Sequence, residues 1–304
     1  MRLRMEGNGV GKVTATVTAT VTVTATATAV PTGGPHLIAH VRTFLAIAAS
    51  GFHRHAIYRQ ATVAAAVTNS MFGFLRTYVL LAVAGAVGVA AGYSGAQLAT
   101  FVWVGQGLIG VVMFWGWADL AERIRSGDVV TDLLRPIHPV THYLATDLGR
   151  AVHAAFSRFL IPVAVGAIVF ELYVPRHVGT YPLFALSTLL AVMISFGGRY
   201  LVNASAYWLL DIRGVQLTWM VTAGVLSGLY FPLRFLPDWL AAALWVATPF
   251  PSILQTPLDV LVERQPPATS LALVALQAGW AAAMLLACRY VQRVAERRLV
   301  IQGG

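Results

Sequence analysis

The chain is poor in charge: only 11% of its 304 residues are Asp, Glu, Lys or Arg, against roughly a quarter in soluble globular domains. With 58% hydrophobic residues, water is not its main solvent. It holds a single cysteine, Cys288, which excludes any internal disulfide; lying near the end of the last apolar run, it reads as a small apolar residue. It has one lysine, Lys12. A phosphate-cradling loop G-x-x-x-x-G-K-[ST] needs a glycine where Glu6 stands and a hydroxyl where Val13 stands, so no nucleotide-hydrolysing loop is encoded here. A G-x-S-x-G nucleophile elbow is also missing, and no apolar run carries facing carboxylates for acid and base work, which argues against an intramembrane enzyme. The first twelve residues adjoin no leucine-rich core, against a cleavable secretory signal.

What is present is a series of long apolar runs. A helix crossing the ~30 Å hydrocarbon core needs about 20 mostly apolar residues. Six segments meet this: Thr62 to Ala90, Gln97 to Ala118, Arg150 to Val174, Tyr181 to Leu210, Val215 to Phe231 and Ala268 to Tyr290, the fifth being the shortest. The expected fold is all-α and polytopic, with six transmembrane helices over 61–304. Residues 1–35, dominated by VTATVTATVTVTATATAV, alternate threonine with small or β-branched residues and have nothing to pack against; a disordered low-complexity tail is expected. Residues 36–60 mix apolar residues with Arg42, His53, Arg54, His55 and Arg59, as an amphipathic interfacial helix does.

The net charge of +9 suggests nucleic acid only if the basic residues cluster with aromatics. Here they sit between apolar runs, fourteen on one side of the six spans, three (Arg176, Arg234, Arg264) on the other and four inside spans. By the positive-inside rule both termini and the loop from Asp119 to Gly149 are cytoplasmic. The stretch FPLRFLPDWLAAALWVATPFPSILQTPLDVL holds five prolines and an apolar run too short to cross, which reads either as a loop with interfacial Trp239 and Trp245 or as a hairpin dipping into the outer leaflet. The hairpin is favoured.

Charge is densest in ADLAERIRSGDVVTDLLRPIHPVTHYLATDLGR. Glu122, Arg123 and Arg125 end one helix, Gly127 stops it, Asp128 can cap a new turn, Val130, Leu133 and Leu134 line one face, and Arg135 and Pro136 break it. An ordinary basic loop imposed by topology is the plain alternative. Within spans, Asn69, Ser70, Arg76, Arg199 and Asn203 need a reason. An arginine at the centre of a lone helix costs about 2.5 to 3.5 kcal/mol, so Arg76 should face protein or water, either contacting an anionic or amphipathic substrate or satisfying a neighbouring carbonyl or asparagine. Arg150 and Arg158 are expected to reach toward the cytoplasmic surface. Gly224 and Gly228 have the spacing of a close helix contact. The histidine pairs His138/His142 and His53/His55 lie in basic surroundings with no completing Cys or carboxylate, so no metal site is expected.

The strings IRSGDVVTDLLRPIHP, LDIRGVQ, LSGLYFPLRFLPDWL, TPFPSILQTPLDV and RRLVIQGG together resemble the permeases of bacterial ABC transporters of the type 2 export class, from about Arg59 to Gly304. That resemblance implies an elbow helix before the first span, a cytoplasmic coupling helix between spans two and three, and a re-entrant hairpin before span six. It further implies that Glu122, Arg123, Arg125, Gly127, Asp128, Asp132, Leu133, Leu134, Arg135 and Pro136 dock on a separate ATPase subunit, which binds ATP and Mg. Two permeases, identical or related, would form the pathway in the bacterial plasma membrane, and this chain itself would bind no cofactor. A secondary transporter driven by an ion gradient is the alternative, disfavoured because the halves do not echo each other and the spans as drawn contain only Glu171 as an acid.

Overall fold

In the computed structural model the described residues are 36–56, 59–87, 92–115 and 118–297; the threonine-rich tail 1–35 and the closing 298–304 lie outside them. Every regular element among them is helical: α1 His36–Ala56, α2 Arg59–Val87, α3 Gly95–Val112, α4 Asp119–Ser126, α5 Val129–Leu133, α6 Pro139–Ala154, a π-helical turn Ala155–Phe159, α7 Leu160–Val169, α8 Thr180–Ala204, α9 Arg213–Leu226, α10 Asp238–Ala247, α11 Gln255–Leu261 and α12 Pro267–Glu296. Five helices are long and apolar enough to cross a membrane: Val67–Gly85, Gly95–Val112, Pro139–Val169, Thr180–Tyr207 and Pro267–Glu296. The segment expected as the fifth of six spans is the 14-residue α9, about 21 Å at 1.5 Å per residue and shorter than the hydrocarbon core. The chain leaves that helix at Leu226, and Gly228 beyond it takes φ +86°, a left-handed conformation that suits glycine.

Local signals set the ends. Ser94 caps α3: its hydroxyl accepts from Gln97 N at 3.2 Å while the Gln97 amide oxygen accepts from Ser94 N at 2.8 Å, a reciprocal box at the start of a helix without charged residues. Proline at the first position starts α6 and α12, where its missing N–H costs nothing. The third crossing begins at Pro139 rather than Arg150, so it is longer than its apolar run and carries Asp147 and Arg150 inside a continuous helical stretch.

α3 is the buried centre, with Phe101, Val102 and Trp103 fully enclosed. α2, α6, α7, α8 and α11 pack around it, and α12 lies along α8. Between α8 and α12 the joins are polar: Ser187 Oγ donates to Gln277 Oε1 at 2.7 Å and Tyr200 Oη to Gln292 Oε1 at 2.7 Å, the kind of contact that holds helices together where lipid supplies no hydrophobic drive. α1 packs on α6 at backbone distance. A Cβ on Gly149 would meet the Ala48 carbonyl oxygen at 1.8 Å, and one on Gly51 the Thr146 carbonyl oxygen at 2.3 Å.

α10 and α11 form a helical hairpin ahead of α12. Every residue of α11 is buried, and Trp245 of α10 sits under the Arg234 guanidinium, 4.4 Å from the ring centre. Asp259 of α11 accepts from Tyr93 Oη at 2.5 Å, Gln255 Nε2 at 2.8 Å and Arg234 Nε at 3.3 Å, tying the hairpin to the α2–α3 connection. Beside it Glu263 holds the α7–α8 connection, accepting from Tyr173 Oη at 2.6 Å, Thr180 Oγ1 at 2.6 Å and the backbone N–H of Arg176 and His177 at 3.0 and 2.9 Å. These groups mark one end of the bundle; α4, α5 and the end of α12 mark the other.

Two outcomes follow from these contacts. Gly149→Leu forces α1 and α6 apart and is expected to cost on the order of 1–3 kcal/mol, read as a lower melting temperature in detergent and faster proteolysis at α1. The Glu263 carboxyl, which burial alone would raise, is instead held well below the usual carboxylate range by the bonds from Thr180, Tyr173 and the two backbone N–H groups. A depressed folded value means its stabilisation is complete above the unfolded value of about 4.3 and lost as pH falls toward the folded one. The stability gap between wild type and Glu263→Gln should therefore be widest near neutrality and shrink in acid; a gap that stays constant would count against this pin.

Candidate functional site

The loop richest in charge folds into a compact cap. In α4, Asp119 and Glu122 occupy the first turn and Arg123 and Arg125 the last, each sign where the helix dipole favours it, and Gly127 ends the helix at φ +83° as its sequence position predicts. Asp128 does not cap α5. Its backbone is already helical, φ −63° and ψ −16°, so the side chain cannot reach back to the first N–H groups; it accepts instead from Ser126 Oγ at 2.8 Å.

Asp132 is the latch of this cap. It is buried, and the Arg123 guanidinium grips both oxygens, Nε to Oδ2 at 2.7 Å and Nη2 to Oδ1 at 3.0 Å. Arg123 Nη2 also donates to Thr131 Oγ1 at 2.8 Å and to the Asp128 carbonyl at 3.1 Å. From α6, Tyr143 Oη donates to Asp132 Oδ2 at 2.8 Å, and Arg135 approaches Oδ1 at 3.4 Å. Burial alone would raise the Asp132 carboxyl, but the bonds from Arg123 and Tyr143 and the charges of Arg123 and Arg135 outweigh it and hold it below its ordinary value. Arg135 in turn lies 2.9 Å from His142 Nε2, and His138 Nδ1 accepts from Val140 N at 3.2 Å, so the two histidines have separate partners.

The cap has two faces. Inward, Leu120 and Val129 pack with Val140 and Tyr143 of α6, Phe196 and Tyr200 of α8 and Cys288 of α12. Val129 takes the buried place expected of its neighbours; Val130 and Leu133 are partly buried, and Leu134 stands 81% exposed because α5 stops after one turn. Outward, Glu122, Arg125, Leu134, Arg135 and Pro136 are exposed, and Glu122 and Arg135 help line a polar hollow of about 450 Å³ between α4, α5 and α6.

The intramembrane polar residues separate into different roles. Asn203 Oδ1 accepts the Ala121 N–H at 3.2 Å, so a side chain of α8 caps the start of α4, while its Nδ2 donates to the Arg199 carbonyl at 2.8 Å. Arg199 pairs with Asp147, at 2.7 Å to Oδ2 and 3.3 Å to Oδ1. The same Asp147 accepts from Arg150 Nε at 2.7 Å, and Arg150 donates onward to the Gly110 and Val111 carbonyls at 3.0 and 2.8 Å. Those are the last carbonyls of α3, which lack helical partners, so Arg150 is a buried C-terminal cap and does not reach for the surface as expected. Asp147 carried no sequence signal, since it lay outside the apolar run.

Arg199 and Asn203 line a hollow of about 430 Å³ with Phe114, Trp115, Trp219 and Met220. Asn69 Nδ2 donates to the Gln106 carbonyl at 3.4 Å. Arg76 is different: its Nε and Nη1 are shut from solvent without an acceptor, so neither a carbonyl nor an asparagine satisfies them. Gly224 and Gly228 do not form one helical face, because Gly228 lies beyond α9 against Gln255 while Gly224 faces Tyr230. Glu171 follows α7 in an exposed connection.

A family model described as ABC-2 family transporter protein matches residues 68–303, well over half the chain. The chain therefore belongs to the ABC-2 family of transporter proteins, as a multi-pass membrane component that is not itself catalytic. No curated protein and no solved structure matches it.

Replacing Asp147 by alanine leaves two buried guanidinium groups facing each other and is expected to cost about 3–5 kcal/mol, seen as loss of the folded peak on gel filtration or a steep fall in melting temperature. Asp147→Asn should be milder, since it still accepts hydrogen bonds.

Proposed function

We propose that the chain is the transmembrane permease subunit of an ATP-driven exporter, working as a dimer with itself or a related permease and with separate ATPase subunits docked on the α4–α5 cap. The observation that carries this reading is the cap's two-sidedness. Its outer face offers an exposed leucine within a charged rim, and its inner face is bonded through Asp132, Leu120 and Val129 to α6, α8 and α12. ATP-driven closure of the ATPases pushes the cap, and a push on it moves three long helices together, so that the pathway changes side. Cofactors ATP and Mg belong to the partner.

Six crossings suit this reading. α8 ends beside α4, whereas α12 starts beside the α2–α3 and α7–α8 connections, so the chain between them makes one net passage. α9 with residues 227–235 supplies it, and α10–α11 is the hairpin dipping from the outer side. On the charge count the cap and both termini face the bacterial cytoplasm. The hollow between α8 and α9, with Trp115 and Trp219 beside Arg199, fits a hydrophobic or amphipathic cargo. For the gradient-driven alternative, the carboxylate within a long helix would be the coupling acid, but Asp147 is held by two arginines and is not free to exchange a proton at each cycle.

The test is capture from the native membrane through a C-terminal tag. A stoichiometric partner carrying G-x-x-x-x-G-K-[ST] is expected, with capture falling about tenfold or more for Arg125→Glu combined with Leu134→Asp, and Asp132→Ala weakening it through the loosened cap. Recovery of the permease alone, in detergent that keeps other ATPase complexes whole, moves the reading to the gradient-driven transporter.

A further inference from the structure

A third cavity, about 510 Å³, opens between α2, α3 and the π-helical turn. Arg158, His153, Arg150, Asn69, Thr68 and Trp115 are among the residues lining it. Its cations outnumber its anions. Asp147 is taken up by Arg150 and Arg199, and Arg150 is spent on the carbonyls of α3, whereas the partly buried Arg158 has no hydrogen-bond or ion-pair partner among the described residues. Its guanidinium nitrogens keep contact with solvent at the cavity and are committed to no protein acceptor, so they are available to an anion that enters.

The position is built. A Cβ on Gly110 would lie 2.9 Å from Arg158 Cβ, and one on Gly107 would lie 2.7 Å from the Phe159 ring, so two glycines one turn apart on α3 admit the bulged turn. The extra residue of a π turn shifts the helical register by about 100°, which is how Arg158 faces the cavity while Phe156 and Leu160, on either side of it in sequence, are 67% and 53% exposed. Gly110 lies three residues from the last turn's cap at Met113, so the cavity sits near the hydrocarbon edge at the α4–α5 end, the depth of a headgroup. Cationic donors turned inward and bare apolar side chains turned to lipid are the two halves of a site for an amphiphile.

We infer that this cavity binds the anionic headgroup, phosphate or carboxylate, of a membrane amphiphile, with Arg158 as its principal donor and the acyl chain lying along Phe156 and Leu160. The inference rests on the membrane fold and not on the ATPase reading, so the two fail separately.

Native mass spectrometry of the full chain in an uncharged detergent, titrated with short-chain phosphatidylglycerol, phosphatidylcholine or inorganic phosphate, tests it. One saturable phosphatidylglycerol is expected, preferred about tenfold over phosphatidylcholine, with the preference lost in Arg158→Gln, largely kept in Arg158→Lys and unchanged in the control Arg176→Gln at the other end. Asn69→Leu, which narrows the cavity from α2, should weaken binding in the same direction and serves if Arg158→Gln does not fold. An unchanged preference in Arg158→Gln and Asn69→Leu overturns the site, and competition by millimolar inorganic phosphate as strong as by the lipid overturns the amphiphile in favour of a free anion.

Discussion

One carboxylate carries much of this architecture. Asp147, with Arg199 on one side and Arg150 on the other, joins α6 to α8 and, through Arg150, to the open end of α3. Two cations on one anion form a buried arrangement that is costly to desolvate and costlier to break, because removing the shared partner strands both charges. Its contribution is therefore one of registry more than of net stability: it fixes where three helices stand relative to each other at the level where the α4–α5 cap begins. Ser195 adds to the same layer by donating to the Met113 carbonyl at 2.8 Å, and Trp219 by donating to that of Phe114 at 3.2 Å, so the chain leaving α3 is held by polar side chains of α8 and α9.

From this layer the cap takes its stiffness. Asn203, one turn along α8 from Arg199, caps α4, and Tyr143, one turn before Asp147 on α6, reaches Asp132. The ionic layer and the latch are thus adjacent storeys on the same two helices. The contacts run from α4 and α5 to the level of Asp147 within two helical turns, with no loop in between.

Much of this was legible in the sequence. The apolar runs, the helix stop at Gly127 and the short helical turn that follows it all follow from composition and local grammar, because each depends on a neighbour within a few residues. What stayed hidden depends on distant partners. Arg150 looked like a surface residue because its acceptors, Gly110 and Val111, lie on another helix. Asn203 stood only as a polar residue in need of a partner, because the helix start it caps lies 82 residues earlier. Asp147 fell outside the apolar window, since hydropathy counts charges singly and cannot see that this one arrives already paired. The brevity of α9 was hidden for the opposite reason: hydropathy ran on past Leu226, while the turn at Gly228 ended the helix.

That short helix bears on the lipid around it. α9 turns Leu217, Val221 and Val225, four residues apart, toward the outside, 57%, 50% and 39% exposed. That stripe, about 12 Å tall on a helix about 21 Å long, falls short of the ~30 Å hydrocarbon core and sets a hydrophobic mismatch on one side of the bundle. Lipid beside it must thin or tilt while lipid beside α12 need not, at a cost of fractions of a kcal/mol per Å. The bilayer around this protein is then not a uniform collar, and its thinnest sector lies at a helix that, with α8, borders the aromatic hollow.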